Sequence, residues 1–367
     1  MEQNYIRQKF QEYYQKNPIE WPPEVSRREF GFGSWEKKIE SRHSRFSDYT
    51  ELKNYLVRNT PFFISYSTAY YEFPDARPME RKNWLKADLV FDLDADQLKL
   101  SCLATHTKDF PCDNCLEKIK LEAIKLVEEF LVTDLGFSKD DITINFSGNR
   151  GYHVHVFDKK IQKLNADARR ELIDYVCGTG LNFDSLFYLN ENRLLGPKTN
   201  DGGWSGKVAN HVINLVRSGS PTLPAKLRKN EEIKNKVITG IANGNWDVVA
   251  IPKKQELWKN LLGGVGVALG DKIDQNVTGD VSKLIRLANS LHGETGLIAK
   301  IVKDINNFDP LKHATAFGNQ EVKVEISNAP KFRIGDQYYG PYNNNTTSLP
   351  EVAAIYLICK KRAKLAK

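Results

Sequence analysis

The chain has 367 residues, 41% of them hydrophobic and 27% charged, with a formal net charge of +7; this is the balance of a globular chain with one large domain or two ordinary ones, and it excludes a disordered or fibrous one. No stretch approaches the roughly 20 consecutive apolar residues of a membrane span, and the charged, aromatic start MEQNYIRQKFQEYYQKN is not a secretory signal. Five cysteines, three of them clustered, suit metal binding in a reducing compartment better than a disulfide framework, and the excess of Lys and Arg suits a polyanionic partner.

In residues 3–16, Tyr5, Ile6, Phe10 and Tyr13 or Tyr14 are spaced for one helical face, and Pro18, Pro22 and Pro23 end that helix. A strand start is expected at 27–32 and a short helix at 48–57. Residues 62–71 are rich in β-formers and aromatics and read as one strand, broken by Pro74 and Pro78.

The run D-L-V-F-D-L-D-A-D at 88–96 follows, with Leu89, Phe91, Leu93 and Ala95 alternating with Asp88, Val90, Asp92 and Asp94. That is a strand with one apolar and one acidic face. Asp92 and Asp94, two apart, point the same way with Cα atoms roughly 6.5–7 Å apart. Like charges so close need compensation. Hard divalent cations take oxygen ligands and supply it, and paired metals about 3.5–4 Å apart are the usual device for in-line phosphoryl displacement. A merely solvated acidic face is the alternative, but such a face rarely concentrates acid alone.

Next comes Cys102-x3-His106-x5-Cys112-x2-Cys115, four ligands that suit tetrahedral zinc. Cys112 and Cys115 can grip one ion from a tight turn, which Pro111 and Asp113-Asn114 favour. Four protein ligands leave no open position, so this zinc would be structural. The alternative is three buried thiols and a passing histidine.

Residues 116–131 form an amphipathic helix stopped near Gly136. Strands at 142–146 and 152–157 flank the turn Ser147-Gly148-Asn149-Arg150-Gly151. Its free backbone and its arginine can hold phosphate oxygens. His153 and His155 share one strand face; either alone could be a satisfied structural residue. A helix follows at 166–177 and a polar, glycine-rich surface loop at 190–206. Residues 207–262 read as a small helical lobe, with the basic cluster 226–229 as a solvated helix end. The rest, 1–206 and 263–367, forms the core, with the zinc knuckle at 102–115. The stretch from Lys272 through Asp274, Asp280, Lys283 and Arg286 to Ser290-Leu291-His292-Gly293 offers another acid, a basic helix face and a loop histidine. Together these could close a metal–triphosphate site. A turn is expected at 343–345. A C-terminal helix carries Pro350 early and a basic end at 360–367.

These residues resemble the small, catalytic subunit of archaeal and eukaryotic DNA primases over nearly the whole chain, with 207–262 matching only in general character. F-D-L-D-A-D is similar to that family's metal-binding motif, and the resemblance puts Asp92 and Asp94 at its acid positions. S-G-N-R-G-Y-H is similar to its second motif, with Ser147, Gly148, Arg150 and His153 at nucleotide-binding positions. D-x-N-V-T, running on to L-I-R-L and S-L-H-G, is similar to the third region. There Asp274 falls at the third carboxylate, with Asp280 as a rival, and Arg286 and His292 fall at triphosphate-contacting positions. Cys102, His106, Cys112 and Cys115 resemble the family's zinc knuckle. The departures are Glu294, where archaeal relatives often carry lysine, and Asn149, where eukaryotic relatives carry arginine.

The resemblance implies a mixed α/β primase catalytic core with an RNA-recognition-like palm sheet. It implies primer synthesis on a single-stranded DNA template from nucleoside triphosphates, ribo or deoxy, by two-metal nucleotidyl transfer. Mg2+ or Mn2+ would be catalytic and Zn2+ structural. It also implies a heterodimer with a primase large subunit and a cytoplasmic place in an archaeal cell. Two further readings differ in class or role. A repair-type primase–polymerase would extend existing ends, and a non-catalytic zinc module would bind nucleic acid without using the carboxylates.

Overall fold

The computed structural model describes residues 1–98, 102, 107, 109–248, 254–262, 265 and 280–366. Its contacts divide the chain into two units, Met1–Glu128 with Phe137–Ile173 and Leu269–Lys367, and Glu129–Gly136 with Asp174–Ala268. Residues 174–206, expected with the core, fall in the second unit.

The first unit begins with helix α1 (Glu2–Lys16), which buries Ile6, Phe10, Tyr13 and Tyr14 along one side. Side chains such as Ile6 and Phe10, fully out of water, each contribute about 1.5–3 kcal/mol. Strands β1 (Phe30–Gly33) and β2 (Ser41–Ser44) precede helix α2 (Tyr49–Asn59), whose first turn is capped by the Asp48 side chain accepting from the Glu51 amide.

The expected single strand at 62–71 is two: β3 (Phe63–Ser67), paired with β1, and β4 (Ala69–Tyr71), paired with β5 (Trp84–Ala87) in another sheet. Arg28 explains the break. It is fully buried, and its Nη1 donates to the carbonyls of Ser67 at 2.9 Å and Thr68 at 2.7 Å. Its Nη2 meets Asp88 Oδ2 at 2.5 Å. Asp88 also accepts from Tyr70 Oη at 2.9 Å and Gln162 Nε2 at 2.8 Å, so this acid is a structural anchor and not part of the acidic face.

Strand β6 (Leu89–Asp94) forms the edge of an antiparallel sheet of order β6-β8-β7, with β7 (Ile142–Phe146) and β8 (Gly151–Val156). Helix α3 (Asp113–Lys125) packs on β6 and β8 and runs on as a wider π-helical stretch over Leu126–Val132. Helix α4 (Ala166–Cys177) matches its expected bounds.

Among the described residues, the second unit is helical apart from a hairpin. Residues 190–206, expected as loop, contain most of it: β9 (Tyr188–Asn190) turns through Glu191 and Asn192, both at positive φ, into β10 (Arg193–Leu195). Two central residues at positive φ make the turn that suits a hairpin's twist. Helices α5 (Gly203–Ser218), α6 (Ala225–Lys229), α7 (Glu231–Ala242) and α8 (Lys254–Asn260) follow. Their core holds Trp246 and Trp258 edge to face, with ring centroids 5.5 Å apart.

The chain returns to the first unit with β11 (Leu284–Arg286), which pairs with β3 and completes the sheet β11-β3-β1-β2. The basic helix face expected there is therefore a strand. A short helix, Pro310–His313, leads to β12 (Glu321–Ala329), the hairpin β13 (Phe332–Ile334) and β14 (Gln337–Tyr339), and β15 (Tyr342–Pro350). Residues 343–345 are no turn: they pair with β12 as Asn343 with Asn328 and Asn345 with Ile326. The C-terminal helix is Glu351–Cys359, and Pro350 sits at its cap. It stops before the basic tail, because Lys361 adopts φ 58° and β16 (Ala363–Leu365) joins β12.

Candidate active site

Strand pairing builds the centre of the site in the first unit. Asp92 lies opposite His153 and Asp94 opposite Gly151, while Asn145 flanks His153 from β7. Leu89, Phe91 and Leu93 are fully buried, whereas the side chains of Asp92 and Asp94 keep 29% and 31% of their surface open. The alternation of one apolar and one acidic face is thus present. Burial, then the charge of Asp94, pushes the Asp92 carboxyl up to about 6, against the pull of Lys283 and Arg286. Two acids on one strand face, one already resisting ionisation, make a donor set that hard divalent cations satisfy.

His153 Nε2 lies 3.5 Å from Asp92 Oδ1. Burial and Arg286 hold this imidazole down to about 3, so it stands beside Asp92 uncharged. His155, at 1% exposure, is held down to about 3 by burial and by His153.

Arg150 leaves the turn between β7 and β8 and bridges two acids, Nε to Asp94 Oδ1 and Nη2 to Asp96 Oδ2, both at 2.6 Å. Burial opposes its charge, but the hydrogen bond to Asp94 and the two carboxylates raise its pKa. The guanidinium is thus fixed next to the acidic face. Ser147 closes the turn: its Oγ accepts from the amides of Asn149 at 3.3 Å and Gly151 at 3.2 Å, leaving its own O–H to donate.

The stretch 286–297 meets this turn. A Cβ on Gly148 would lie 2.8 Å from His292 Cβ, and Thr295 Oγ1 donates to the Gly148 carbonyl at 2.5 Å. His292 Nδ1 accepts from the Glu294 amide at 3.2 Å, which leaves Nε2 carrying the ring hydrogen. Burial first, then Arg286, Lys38, Lys360 and His153, keep this histidine's pKa well below its ordinary value. Arg286, on β11, lies over the Phe63 ring at 5.2 Å, and its Nη1 is buried with no partner among the described residues. Burial brings it down to about 10.

The structure therefore brings Asp92, Asp94, Ser147, Gly148, Arg150, His153, Arg286 and His292 into one neighbourhood. Asp274 lies outside the described residues. Its rival Asp280 is exposed, with Oδ1 accepting from the Ser282 amide and hydroxyl at 2.8 and 2.7 Å. Sequence reasoning missed Asp96 as a partner of Arg150, Lys38, which meets Glu294 at 3.2 Å, and Lys360. Lys38 and Lys360 stand in ordinary basic runs, so no local signal marks them.

The sulfurs of Cys102, Cys112 and Cys115 lie within 4.8 Å of one another; Cys115 is 3.4 Å from Cys102 and 3.8 Å from Cys112. Tetrahedral zinc with Zn–S bonds of about 2.3 Å places its sulfurs about 3.8 Å apart, so the cluster fits such an ion. Burial and the two neighbouring thiols push Cys115 up to about 12, a cost that binding a cation would reverse. The fourth expected ligand, His106, is outside the described residues. The knuckle is tied down by Asp113, which accepts from Arg333 Nε at 2.8 Å and Tyr338 Oη at 2.7 Å.

The family model of the DNA primase small subunit matches residues 91–304. Proteins called DNA primase small subunit PriS are similar over nearly their full length. That of Archaeoglobus fulgidus is 36% identical over 365 residues, covering 97% of this chain and 96% of its own. That of Methanothrix thermoacetophila is 33% identical over 394 residues, covering 98% of each. That of Nitrosopumilus maritimus is 30% identical over 394 residues, covering 99% of this chain and 98% of its own.

Proposed function

Because the chain belongs to the DNA primase small-subunit family, we propose that Asp92, Asp94 and Asp274 hold its catalytic cations, Mg2+ or Mn2+. We further propose that Ser147, Gly148, Arg150, His153, Arg286 and His292 receive the incoming nucleoside triphosphate. The chain is a primase catalytic subunit, a template-directed nucleotidyltransferase that makes primers in DNA replication. Divalent metals serve this family. When bound, they would lower the barrier to attack by a 3′-hydroxyl on the α-phosphate, with pyrophosphate leaving.

The protein's own residues position and compensate charge. Strand β6 sets Asp92 and Asp94 on one face, and neutral His153 steadies Asp92 without adding a competing cation. Arg150 shares its guanidinium between Asp94, Asp96 and a phosphate oxygen, as a planar donor fork allows. Ser147 and His292 Nε2 donate neutral hydrogen bonds. Arg286 carries the reading. Its Nη1 is buried without a partner among the described residues, and an unpaired buried donor costs about 1–3 kcal/mol, more when charged. A phosphate oxygen removes that cost.

Labelled-nucleotide binding tests this reading. Arg286→Ala and His292→Ala should bind about ten- to a hundredfold more weakly, since one charged hydrogen bond contributes about 1.5–3 kcal/mol. Wild-type nucleotide affinity in both, with lost template binding, would assign the pocket to DNA instead.

Zinc is the ion proposed for Cys102, Cys112 and Cys115, with His106 as fourth ligand. A small subunit implies a partner, and DNA and nucleotides as substrates; the proposed partner is the primase large subunit, in a heterodimer. Among the described residues no helix is long and apolar enough to cross a membrane; the proposed place of action is the cytoplasm of an archaeal cell.

A further inference from the structure

The C-terminal helix Glu351–Cys359 is buried along its whole length, and Lys360 ends it. The helix lies directly on the loop that follows His292. A Cβ on Gly296 would sit 2.7 Å from Ile355 Cγ2 and 3.9 Å from Cys359 Sγ. Lys360 is thereby placed beside Glu294 and His292, far from both in sequence.

Its ammonium is held by ring faces, 5.0 Å from the Tyr356 centroid and 5.2 Å from that of Phe110. Among the described residues no hydrogen bond or ion pair reaches it. The neighbouring acids are already engaged: Glu294 meets Lys38 at 3.2 Å and Asp109 meets Arg362 at 3.7 Å. Burial first brings its pKa down to about 8, with Asp109 and Glu294 opposing and Arg150 adding to the fall; Lys360 in turn weighs on His292. Lys360, Arg150, Arg286 and His292 are thus basic side chains crowded into one half-buried neighbourhood. Such a cluster is unfavourable alone and favourable around a polyanion. Asp92 and Asp94 stand on β6, whereas Lys360 ends the helix that packs on Gly296, in the loop beyond His292.

We propose that Lys360 is a further nucleotide-binding residue, its ammonium contacting the terminal phosphate of the incoming triphosphate. The proposal rests on the nucleotide pocket assigned above.

The test measures ATP, ADP and AMP binding to the full chain, with KM and kcat for incorporation. Lys360→Met keeps an apolar stem of similar length and removes the charge; Lys360→Gln is a second neutral replacement, and Lys360→Arg keeps the charge. Both neutral variants should weaken ATP about tenfold, the loss of one charged hydrogen bond. They should raise KM with little change in kcat and leave AMP within twofold of wild type, and Lys360→Arg should restore most of the ATP affinity. Equal losses for ATP and AMP would make Lys360 a packing residue and overturn the proposal. Unchanged ATP binding in the neutral variants would also overturn it: if His292→Ala still weakens ATP, only Lys360 is misassigned, and if His292→Ala also binds normally, the pocket itself is wrong.

Discussion

Gly148→Ala is the perturbation whose size is best fixed by the structure. Gly148 has φ +83°, and an added Cβ would meet His292 Cβ at 2.8 Å, the Ala299 amide at 3.3 Å and the Leu297 carbonyl at 3.4 Å. The left-handed backbone alone costs an L-residue about 1–2 kcal/mol. A stiffer unfolded chain offsets about 0.4–1 kcal/mol of that, and forcing a methyl into packed surroundings adds about 1–3 kcal/mol. The variant should therefore lose about 2–4 kcal/mol. Gly335→Ala, in the same unit, is the control: φ is +62° and nothing lies within 4 Å of its Cβ position, so only the backbone contribution of about 1 kcal/mol remains. Chemical denaturation of both variants isolates the steric part. Because the methyl pushes the 147–151 turn off His292, nucleotide binding should fall in Gly148→Ala and not in the control. Equal stability losses in the two, or wild-type nucleotide affinity in Gly148→Ala, would refute the claim that this turn and His292 form one pocket.

Purified protein should hold one zinc per chain, and Cys112→Ser or Cys115→Ser should lower both zinc content and Tm; unchanged values in elemental analysis and melting would rule out the cysteine cluster as a zinc site. Asp88→Ala should cost about 3–5 kcal/mol in denaturation, since it leaves the buried Arg28 without its counter-charge, and a loss under 1 kcal/mol would mean Arg28 finds another acid. His155 has a folded pKa of about 3 against 6.5 in the unfolded chain, so the unfolded chain takes up the proton first as pH falls. Its contribution is complete above pH 6.5 and is lost as pH drops from 6.5 toward 3, about 1.4 kcal/mol per unit. His155→Leu should accordingly lose about 2 kcal/mol less than wild type between pH 7.5 and 5, and parallel stability curves would contradict the buried neutral imidazole.

Much of the site was legible because its signals are local. Strand alternation around Asp92 and Asp94 and the Ser-Gly turn before His153 each lie within a dozen residues. They fold as β6 and as the β7–β8 hairpin. What failed depended on distant partners. Residues 62–71 look like one strand until Arg28, far back in the chain, takes the carbonyls of Ser67 and Thr68. Asn343–Asn345 have turn composition, yet β12 offers them a ladder, and pairing outweighs propensity. Arg286 reads as part of a basic helix face, but β3 captures its segment as a strand. Lys360 reads as part of the basic end of the C-terminal helix, because nothing near it in sequence announces Phe110, Glu294 or His292.

Nucleotide incorporation by Asp92→Ala and Asp94→Ala on unprimed single-stranded DNA, with divalent metal present, is the most direct test of the β6 carboxylates. Both variants should keep the wild-type fold by circular dichroism and melt within a few degrees of it, because these side chains are partly open and lie off the apolar face. Primer synthesis should be abolished in each. Near-normal synthesis by either variant would contradict the assignment of the β6 carboxylates to the catalytic metals, and with it the site built around them.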